Sequence, residues 1–200
     1  PGVNTLFIKK YKIQKLVNLS QYILVNYKKY CGVEGEKTTA NLHGTVREQV
    51  VDDLSFFKDI KSELEVEVTN ALTDYLSLNP LLDRNMFFLN HISLMHHHES
   101  FNIPFHYDAE FVYEKNEREN IRNFAILLYL NDEFSGGDLL FPIQKINITP
   151  EEGLLVIFPT SFMYPHTTTP CFGGDRYVLR INYYFDKNAI INTVKDSTTY

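Results

Sequence analysis

The sequence predicts an α+β fold, mainly β, in which a helical N-terminal region precedes a core of short strands. Three observations support this fold class. Apolar residues recur at helical spacing within residues 1–80, short aromatic or β-branched segments separated by turn residues fill residues 85–186, and residues 187–200 are polar. Because helices come first and strands follow, we expect a single domain, residues 1–200, whose helices support one face of a sheet.

The N-terminal region predicts one strand and three helices. Residues 5–13 fit an opening strand, and residues 14–30 place leucine, isoleucine and tyrosine at helical spacing. Residues 46–60 and 62–78 predict two amphipathic helices. An Asn-Pro pair ends the last of these helices, because proline disfavours helical geometry at the residue before it.

The C-terminal region predicts several closely spaced strands, which suits a sandwich or a barrel. Polar and charged residues dominate residues 31–45 and 113–122, so we expect two loops there, either ordinary surface loops or covers of a pocket mouth. The predicted strands are residues 86–98, 105–112, 122–130, 138–142, 154–158, 163–168 and 176–185.

Composition and charge narrow the function classes. The chain has 200 residues and a net charge of −6, which argues against broad binding to nucleic-acid backbones. Its two cysteines, Cys31 and Cys171, form no regular framework, and no apolar run approaches the length of a membrane span. We therefore expect a reducing, cytoplasmic location and neither a nucleic-acid nor a membrane partner. The sequence leaves the oligomeric state open.

A metal-binding pattern is the strongest functional signal. His106 and Asp108 are two residues apart, so on a strand both side chains project from the same face. A second imidazole, His166, lies on a later predicted strand, and two imidazoles with one carboxylate are the ligand set of non-haem Fe(II) oxygenases. The same ligands also suit catalytic zinc. Arg176, ten residues after His166, favours the iron alternative.

Two tracts carry a family resemblance: Leu128 to Asn131 followed by Gly136, Gly137, Asp138, Leu139 and Phe141, and Phe158 to His166 followed by Pro170, Gly174, Arg176 and Tyr177. Their order and spacing resemble 2-oxoglutarate/Fe(II)-dependent dioxygenases of the prolyl 4-hydroxylase type, over residues 85–185. The resemblance implies a double-stranded β-helix (jelly-roll) core with the N-terminal helices against its major sheet. It implies His106, Asp108 and His166 as iron ligands, and Arg176 as the partner of the distal carboxylate of 2-oxoglutarate.

Arg176 also has a physical rationale. A co-substrate with two carboxylates that chelates iron at one end buries its other carboxylate deep in the pocket, and burying that charge without a cation is costly. A guanidinium fork compensates the charge through bidentate, charge-assisted hydrogen bonds. Arg180 lies on the same strand face and is the rival candidate. The remaining alternative is that Arg176 pairs with an acidic surface residue such as Asp175.

Four further residues complete the predicted site. The resemblance implies that Tyr129 hydrogen-bonds 2-oxoglutarate, with a purely structural core tyrosine as the alternative. Thr168 shares a strand face with His166 and adds a hydroxyl. His96 and His97, within a run of three histidines, are expected to contact substrate or co-substrate, or else to lie on a solvated face. The whole run cannot bind one metal, because consecutive strand residues point to opposite faces.

The implied activity is that of an oxidoreductase. The resemblance implies a dioxygenase that uses Fe(II), 2-oxoglutarate and O2, with ascorbate as an accessory requirement, to hydroxylate a prolyl residue in a protein or peptide. Succinate and CO2 would be released. Metal and co-substrate supply the chemistry, so no catalytic side chain beyond the metal ligands is needed. The alternatives are the same chemistry on a small metabolite or nucleobase, and a non-enzymatic jelly-roll binding module.

Overall fold

The computed structural model describes residues 7–34, 48–51, 55–109, 111–114 and 117–186. Within these ranges the chain forms twelve strands, two α-helices and two short 3-10 helices, Ser55–Ile60 and Arg84–Met86. The strands and α-helices, in chain order, are β1 (Lys9–Lys12), α1 (Gln14–Glu34), β2 (Glu48–Val51), α2 (Lys61–Leu76), β3 (Phe87–His97), β4 (Phe111–Glu114), β5 (Glu117–Tyr129), β6 (Ser135–Gly136), β7 (Leu139–Phe141), β8 (Ile146–Ile148), β9 (Leu154–Pro159), β10 (Thr167–Thr168), β11 (Cys171–Phe172) and β12 (Arg176–Phe185).

A large antiparallel sheet provides the frame of the fold. Among the described residues its strands lie in the order β1, β9, β5, β12, β3, β2, and β4 pairs with β5. The central strand, β12, pairs with β3 along its whole length, from Arg176 opposite His97 to Phe185 opposite Phe87. Its valine, leucine, isoleucine and tyrosine residues suit a strand that is covered on both faces.

A smaller sheet faces the inner side of the large one. In it, β7 lies between β10 and β8, while β11 pairs with β6 as a separate ribbon. Phe141 and Ile148 of the small sheet share one buried apolar cluster with Tyr129, Val156 and Val178 of the large sheet. Two sheets that enclose a common core in this way form a double-stranded β-helix, so the predicted fold class is confirmed.

The two α-helices cover the outer face of the large sheet. Leu19 of α1 and Leu72 of α2 lie in one buried cluster with Ile126, Leu155 and Leu179 of the sheet. Each helix presents an apolar stripe, because its buried residues recur at three- and four-residue intervals. No helix in the described part of the chain has the length and apolar character needed to cross a membrane.

The predicted helix at residues 46–60 is wrong. Its first half contains β2, which pairs with β3 at the edge of the large sheet. Val50 and Val51 are buried there, opposite Met95 and Leu94. Two adjacent β-branched residues suit a strand, and apolar spacing in so short a segment does not separate strand from helix.

Two predicted loops also need correction. Residues 113–122 belong largely to the antiparallel pair of β4 and β5, because charged residues occur on exposed strands as well as in loops. Of residues 31–45, the first four continue α1, and the rest lie outside the described residues, as does the polar tail 187–200. The predicted strand 105–112 is reduced to one bridge at His106 before β4 begins.

Leu64→Ala tests the packing of α2 on the sheet. Leu64 is fully buried, so its loss is expected to lower the free energy of unfolding by about 2–5 kcal/mol through lost burial and a residual cavity. Val66→Ala is the matched control on the same helix, where Val66 is 53% exposed, and should change stability by less than about 0.5 kcal/mol. Urea unfolding followed by circular dichroism measures both, and equal losses would contradict this packing.

Candidate metal centre and co-substrate pocket

Two histidines from separate segments form a cross-strand pair. His106 donates its backbone N–H to the carbonyl of His166 at 3.0 Å, and His166 donates its own N–H to the carbonyl of His106 at 2.8 Å. Residues that exchange both backbone hydrogen bonds have side chains on the same face of the pair. The two imidazole rings therefore lie side by side, with their centroids 4.4 Å apart.

Asp108 completes a triad with these histidines. His106 Nε2 lies 3.4 Å from Asp108 Oδ1, and His166 Nε2 lies 3.6 Å from Asp108 Oδ2. One ligand atom from each of the three residues lies within 4.8 Å of the others, a spacing that can hold a metal ion. The structure thus brings together the three residues that the His-x-Asp pattern and the later histidine predicted.

Backbone carbonyls fix the orientation of both imidazoles. His106 Nδ1 lies 2.7 Å from the carbonyl oxygen of Pro104, and His166 Nδ1 lies 3.1 Å from that of Tyr164. A carbonyl oxygen only accepts, so Nδ1 carries the proton in the neutral form of each ring, and Nε2 of that form presents its lone pair to the centre. Metal-binding histidines commonly donate their other ring N–H to a backbone carbonyl in this way.

Arg122 holds the carboxylate of the triad. Its Nε donates to the backbone carbonyl of Asp108 at 2.8 Å, and its Nη2 donates to Asp108 Oδ1 at 3.2 Å. Asn182 Oδ1 accepts from Nη1 at 3.2 Å and so orients the guanidinium. Sequence analysis did not single out Arg122, because its contact with Asp108 arises from tertiary structure and no local pattern of residues marks it.

Electrostatics keep Asp108 ionised. Burial alone would raise the pKa of this carboxyl, but the hydrogen bond from His106 and the charge of Arg122 hold it well below its ordinary value. Burial lowers the pKa of His166 and favours its neutral form. For His106 burial acts in the same direction, but hydrogen bonds to Asp108 and Pro104 outweigh it and raise the pKa.

A cavity of about 550 Å³ adjoins the triad. Polar side chains of Arg122, Arg180 and Asn182 line it beside the triad, and Thr168 lines it next to His166. Apolar side chains from both sheets complete the wall: Met95, Leu127 and Leu139. A concave pocket with a few convergent polar groups is the usual form of a small-molecule site.

Arg176 lies behind the cavity wall, at 1% exposure. Its Nη1 donates to the carbonyl of Gly137 at 2.7 Å, its Nη2 donates to Thr168 Oγ1 at 3.4 Å, and its Nε donates to His97 Nδ1 at 3.2 Å. Gly137 has a φ of +70°, and a Cβ there would lie 2.8 Å from Phe134 and 3.4 Å from Arg176 Nη1. The glycine therefore gives the guanidinium room.

Thr168 and Tyr129, the two residues predicted to contact the co-substrate, both lie close to Arg176; their contact with a co-substrate stays a prediction. Thr168 hydrogen-bonds Arg176 and faces the cavity. Tyr129 is buried, and burial raises the pKa of its phenol to about 12 against the opposing charge of Arg176. Arg180, the rival candidate for the carboxylate, lines the cavity directly, which Arg176 does not.

β3 separates the two histidines that were predicted to contact ligands. His97 lies on the inner face, where its ring stacks on Phe101 at 4.9 Å and contacts Arg176. His96 points to the outer face, where the Tyr27 hydroxyl of α1 lies 3.4 Å from its Nδ1. Because neighbouring strand residues alternate, the two side chains serve different environments.

Comparison with known proteins gives a family match for part of the chain. Residues 91–184 match the 2OG-Fe(II) oxygenase superfamily, a segment that contains the triad and Arg176. The resemblance predicted from the sequence is therefore confirmed, although no curated protein matches the chain.

Solved structures of superfamily members share the fold. The viral collagen prolyl hydroxylase vCPH from Paramecium Bursaria Chlorella virus-1, in its 2OG complex, is 12% identical with a TM-score of 0.66, over 90% of this chain and 96% of that one. A prolyl hydroxylase from Trichoplax adhaerens, in complex with a hypoxia inducible factor oxygen degradation domain peptide fragment, is 16% identical with a TM-score of 0.63, over 93% and 86%. A Pseudomonas putida prolyl-4-hydroxylase is 19% identical with a TM-score of 0.56, over 92% and 97%.

The superfamily that this segment matches implies Fe(II), 2-oxoglutarate and O2. The donors of the triad fit such a metal, because each imidazole presents Nε2 and the carboxylate is ionised. Three protein donors leave the remaining positions of a six-coordinate metal to other ligands.

Arg122→Ala is expected to weaken metal binding, because Asp108 loses the side chain that holds both its backbone and its carboxylate. Removal of a residue that orients a metal ligand costs about 10–100-fold in metal affinity. Arg122→Lys keeps the charge but cannot make the same set of bonds, so we expect an intermediate loss. Competition titrations with Fe(II) under anaerobic conditions give the three affinities. Equal affinities for folded wild type and Arg122→Ala would show that Arg122 does not position the ligand.

Proposed function

We propose that this chain is an Fe(II)- and 2-oxoglutarate-dependent dioxygenase that hydroxylates a prolyl residue in a protein or peptide and releases succinate and CO2. The observation that carries the proposal is the mutual backbone pair of His106 and His166, closed by Asp108. The superfamily match supports the dioxygenase class. The fold shared with three prolyl hydroxylases supports the prolyl substrate.

In this proposal, His106 and His166 hold Fe(II) through Nε2, and Asp108 holds it through its carboxylate. When bound, Fe(II) and 2-oxoglutarate activate O2, so that the co-substrate is oxidatively decarboxylated and one oxygen atom is transferred to a C–H bond. The protein orients the ligands and keeps water away from the centre. Phe141 and Phe158 serve the second role, with ring centroids 5.4 and 4.9 Å from that of His166.

Arg176 is proposed to bind the distal carboxylate of 2-oxoglutarate, with Thr168 and Tyr129 beside it. Thr168 follows His166 by two residues, about 6.4–6.8 Å along an extended strand, and hydrogen-bonds Arg176. 2-Oxoglutarate, a five-carbon diacid, would reach the guanidinium of Arg176 by extending from the metal past Thr168. Its buried carboxylate then gains charge-assisted hydrogen bonds.

A peptide substrate fits the mouth of the pocket better than a small metabolite. Phe105 and Tyr107, which flank a proposed iron ligand, are 59% and 55% exposed, and Tyr107 lines the cavity. Large exposed apolar side chains beside a pocket mark contact surfaces for a partner. The structurally similar prolyl hydroxylase from Trichoplax adhaerens is described in complex with a peptide fragment, which supports a peptide substrate for this chain. A small metabolite or a nucleobase is the alternative that the substrate assay must test.

Mass spectrometry of peptides provides the main test of the activity. Wild type incubated with Fe(II), 2-oxoglutarate and ascorbate should add one oxygen to proline in a proline-rich peptide, with matching release of succinate. His166→Ala should abolish both, along with the visible charge-transfer absorption of the Fe(II)–2-oxoglutarate chelate, because one proposed iron ligand is missing. His91→Ala, which removes another imidazole of the same cavity, is the control for that absorption.

Three outcomes of this assay decide different parts of the proposal. Undiminished turnover by folded His166→Ala would refute the iron site. Succinate release with a free metabolite or nucleobase, but with no peptide, would replace the prolyl substrate. Omission of ascorbate tests whether it is required. Activity that needs zinc rather than Fe(II) would overturn the dioxygenase assignment.

Substitution of the two pocket arginines separates the candidates for the co-substrate anchor. Arg176→Gln should raise the KM for 2-oxoglutarate at least about 100-fold, because a buried carboxylate would lose its cation. Arg180→Gln, on the same face of β12, is the matched variant and should raise that KM much less. Steady-state succinate assays at varied 2-oxoglutarate give both values. If Arg180→Gln has the larger effect, Arg180 is the anchor instead.

A further inference from the structure

A second cluster of potential metal ligands lies on the outer face of the large sheet. His96 Nε2 lies 2.8 Å from Asp175 Oδ2, and His98 Nδ1 lies 3.2 Å from the same oxygen. The two imidazole centroids are 4.2 Å apart. One ligand atom from each of the three residues lies within 4.8 Å of the others, as in the triad of the pocket.

Strand geometry brings these three residues together. His96 and His98 are two positions apart at the end of β3, so their side chains share a face while His97 points into the core. Arg176 pairs with His97 across the sheet, which places Asp175 beside this end of β3. The histidine run thus places two potential metal ligands, His96 and His98, on the outer face of the sheet, and His97 cannot join them.

Neighbouring groups orient the carboxylate toward the imidazoles. The backbone N–H of Glu99 donates to Asp175 Oδ1 at 2.9 Å, so Oδ2 is the oxygen turned to both rings. The side-chain amide of Asn131 donates to the backbone carbonyl of Asp175 at 2.9 Å and fixes that segment. On the far side of His96, the hydroxyl of Tyr27 lies near Nδ1 and leaves Nε2 facing the carboxylate.

The spacing and access of this cluster suit a zinc-class ion. Ligands about 2.0–2.1 Å from a tetrahedral metal lie about 3.3 Å from one another. The separation of 3.2 Å between His98 Nδ1 and Asp175 Oδ2 is close to this value, and that of 2.8 Å between His96 Nε2 and the same oxygen is shorter. The side chains of His98 and Asp175 are 34% and 30% exposed, so water can reach a fourth position. Burial lowers the pKa of His96, which favours the neutral imidazole that binds metal.

We propose that His96, His98 and Asp175 form a second site for a divalent transition metal, with Zn(II) as the preferred ion. Two imidazoles and one carboxylate with an open position are donors that zinc accepts. The site joins the end of β3 to the start of β12, where the next residues inward, His97 and Arg176, contact each other. A bound ion would therefore hold the end of β3 and the start of β12 together behind the pocket. The inference stands on this geometry and does not depend on the proposed reaction.

Zinc stoichiometry tests the proposal on the intact protein. Wild type should bind two equivalents of Zn(II), one at the triad and one at the second site, in titrations with a competing indicator and in metal analysis after gel filtration. His98→Gln should lose one equivalent, because a ligand with a side chain about one-third exposed is replaced without disturbing the core. His91→Gln, another histidine of β3, is the matched control and should keep two.

A variant of the triad distinguishes this inference from the proposed reaction. The double variant His106→Ala/Asp108→Ala should still bind one equivalent of Zn(II) at the second site. Adding His98→Gln to this double variant should remove that equivalent. Equal stoichiometry for wild type and His98→Gln would overturn the second site. So would the loss of all zinc on changing the triad alone in a folded protein. A chain that binds both ions but never hydroxylates a peptide would refute the reaction and leave the second site intact.

Discussion

The backbone pair between His106 and His166 is the contact on which the site depends. The segments that carry these residues are mostly irregular, and their two mutual hydrogen bonds form an isolated bridge between them. The bridge sets both imidazoles on one face, and the extended backbone after His106 adds Asp108 to that face. Without the bridge, the two imidazoles would belong to independent loops. The free energy of metal binding would then have to offset the entropic cost of ordering each loop.

β12 links the site to the stability of the fold. Its outward residues, such as Leu179 and Ile181, pack in the cluster shared with the helices, while Arg176, Arg180 and Asn182 point inward. The helices therefore stabilise the strand from which the pocket takes its cations. The same alternation divides the histidine run of β3 between the two faces, so one pair of strands serves the pocket on one side and a separate cluster on the other.

Sequence reasoning predicted most where local pattern determines structure. The last strand was placed at residues 176–185, as observed, because its apolar run is long and has clear boundaries. The three triad residues followed from residue type and spacing. Arg122 was missed because its role depends on how β5 lies against Asp108, which no local pattern encodes. The helix predicted at 46–60 failed because pairing with β3 outweighed helical spacing.

The charge of the pocket differs in sign from that of the whole chain. Histidines aside, the charged residues among those described that line the cavity are Arg122, Arg180 and Asp108, whereas the chain has a net charge of −6. Two arginines and one carboxylate of the described residues thus face the cavity, and the buried Arg176 lies behind Thr168. In a partly buried site, a lining in which arginines outnumber carboxylates attracts anions. A dianionic co-substrate such as the proposed 2-oxoglutarate would be drawn to this lining. The charges of the lining therefore support a diacid in this pocket on grounds separate from the family match.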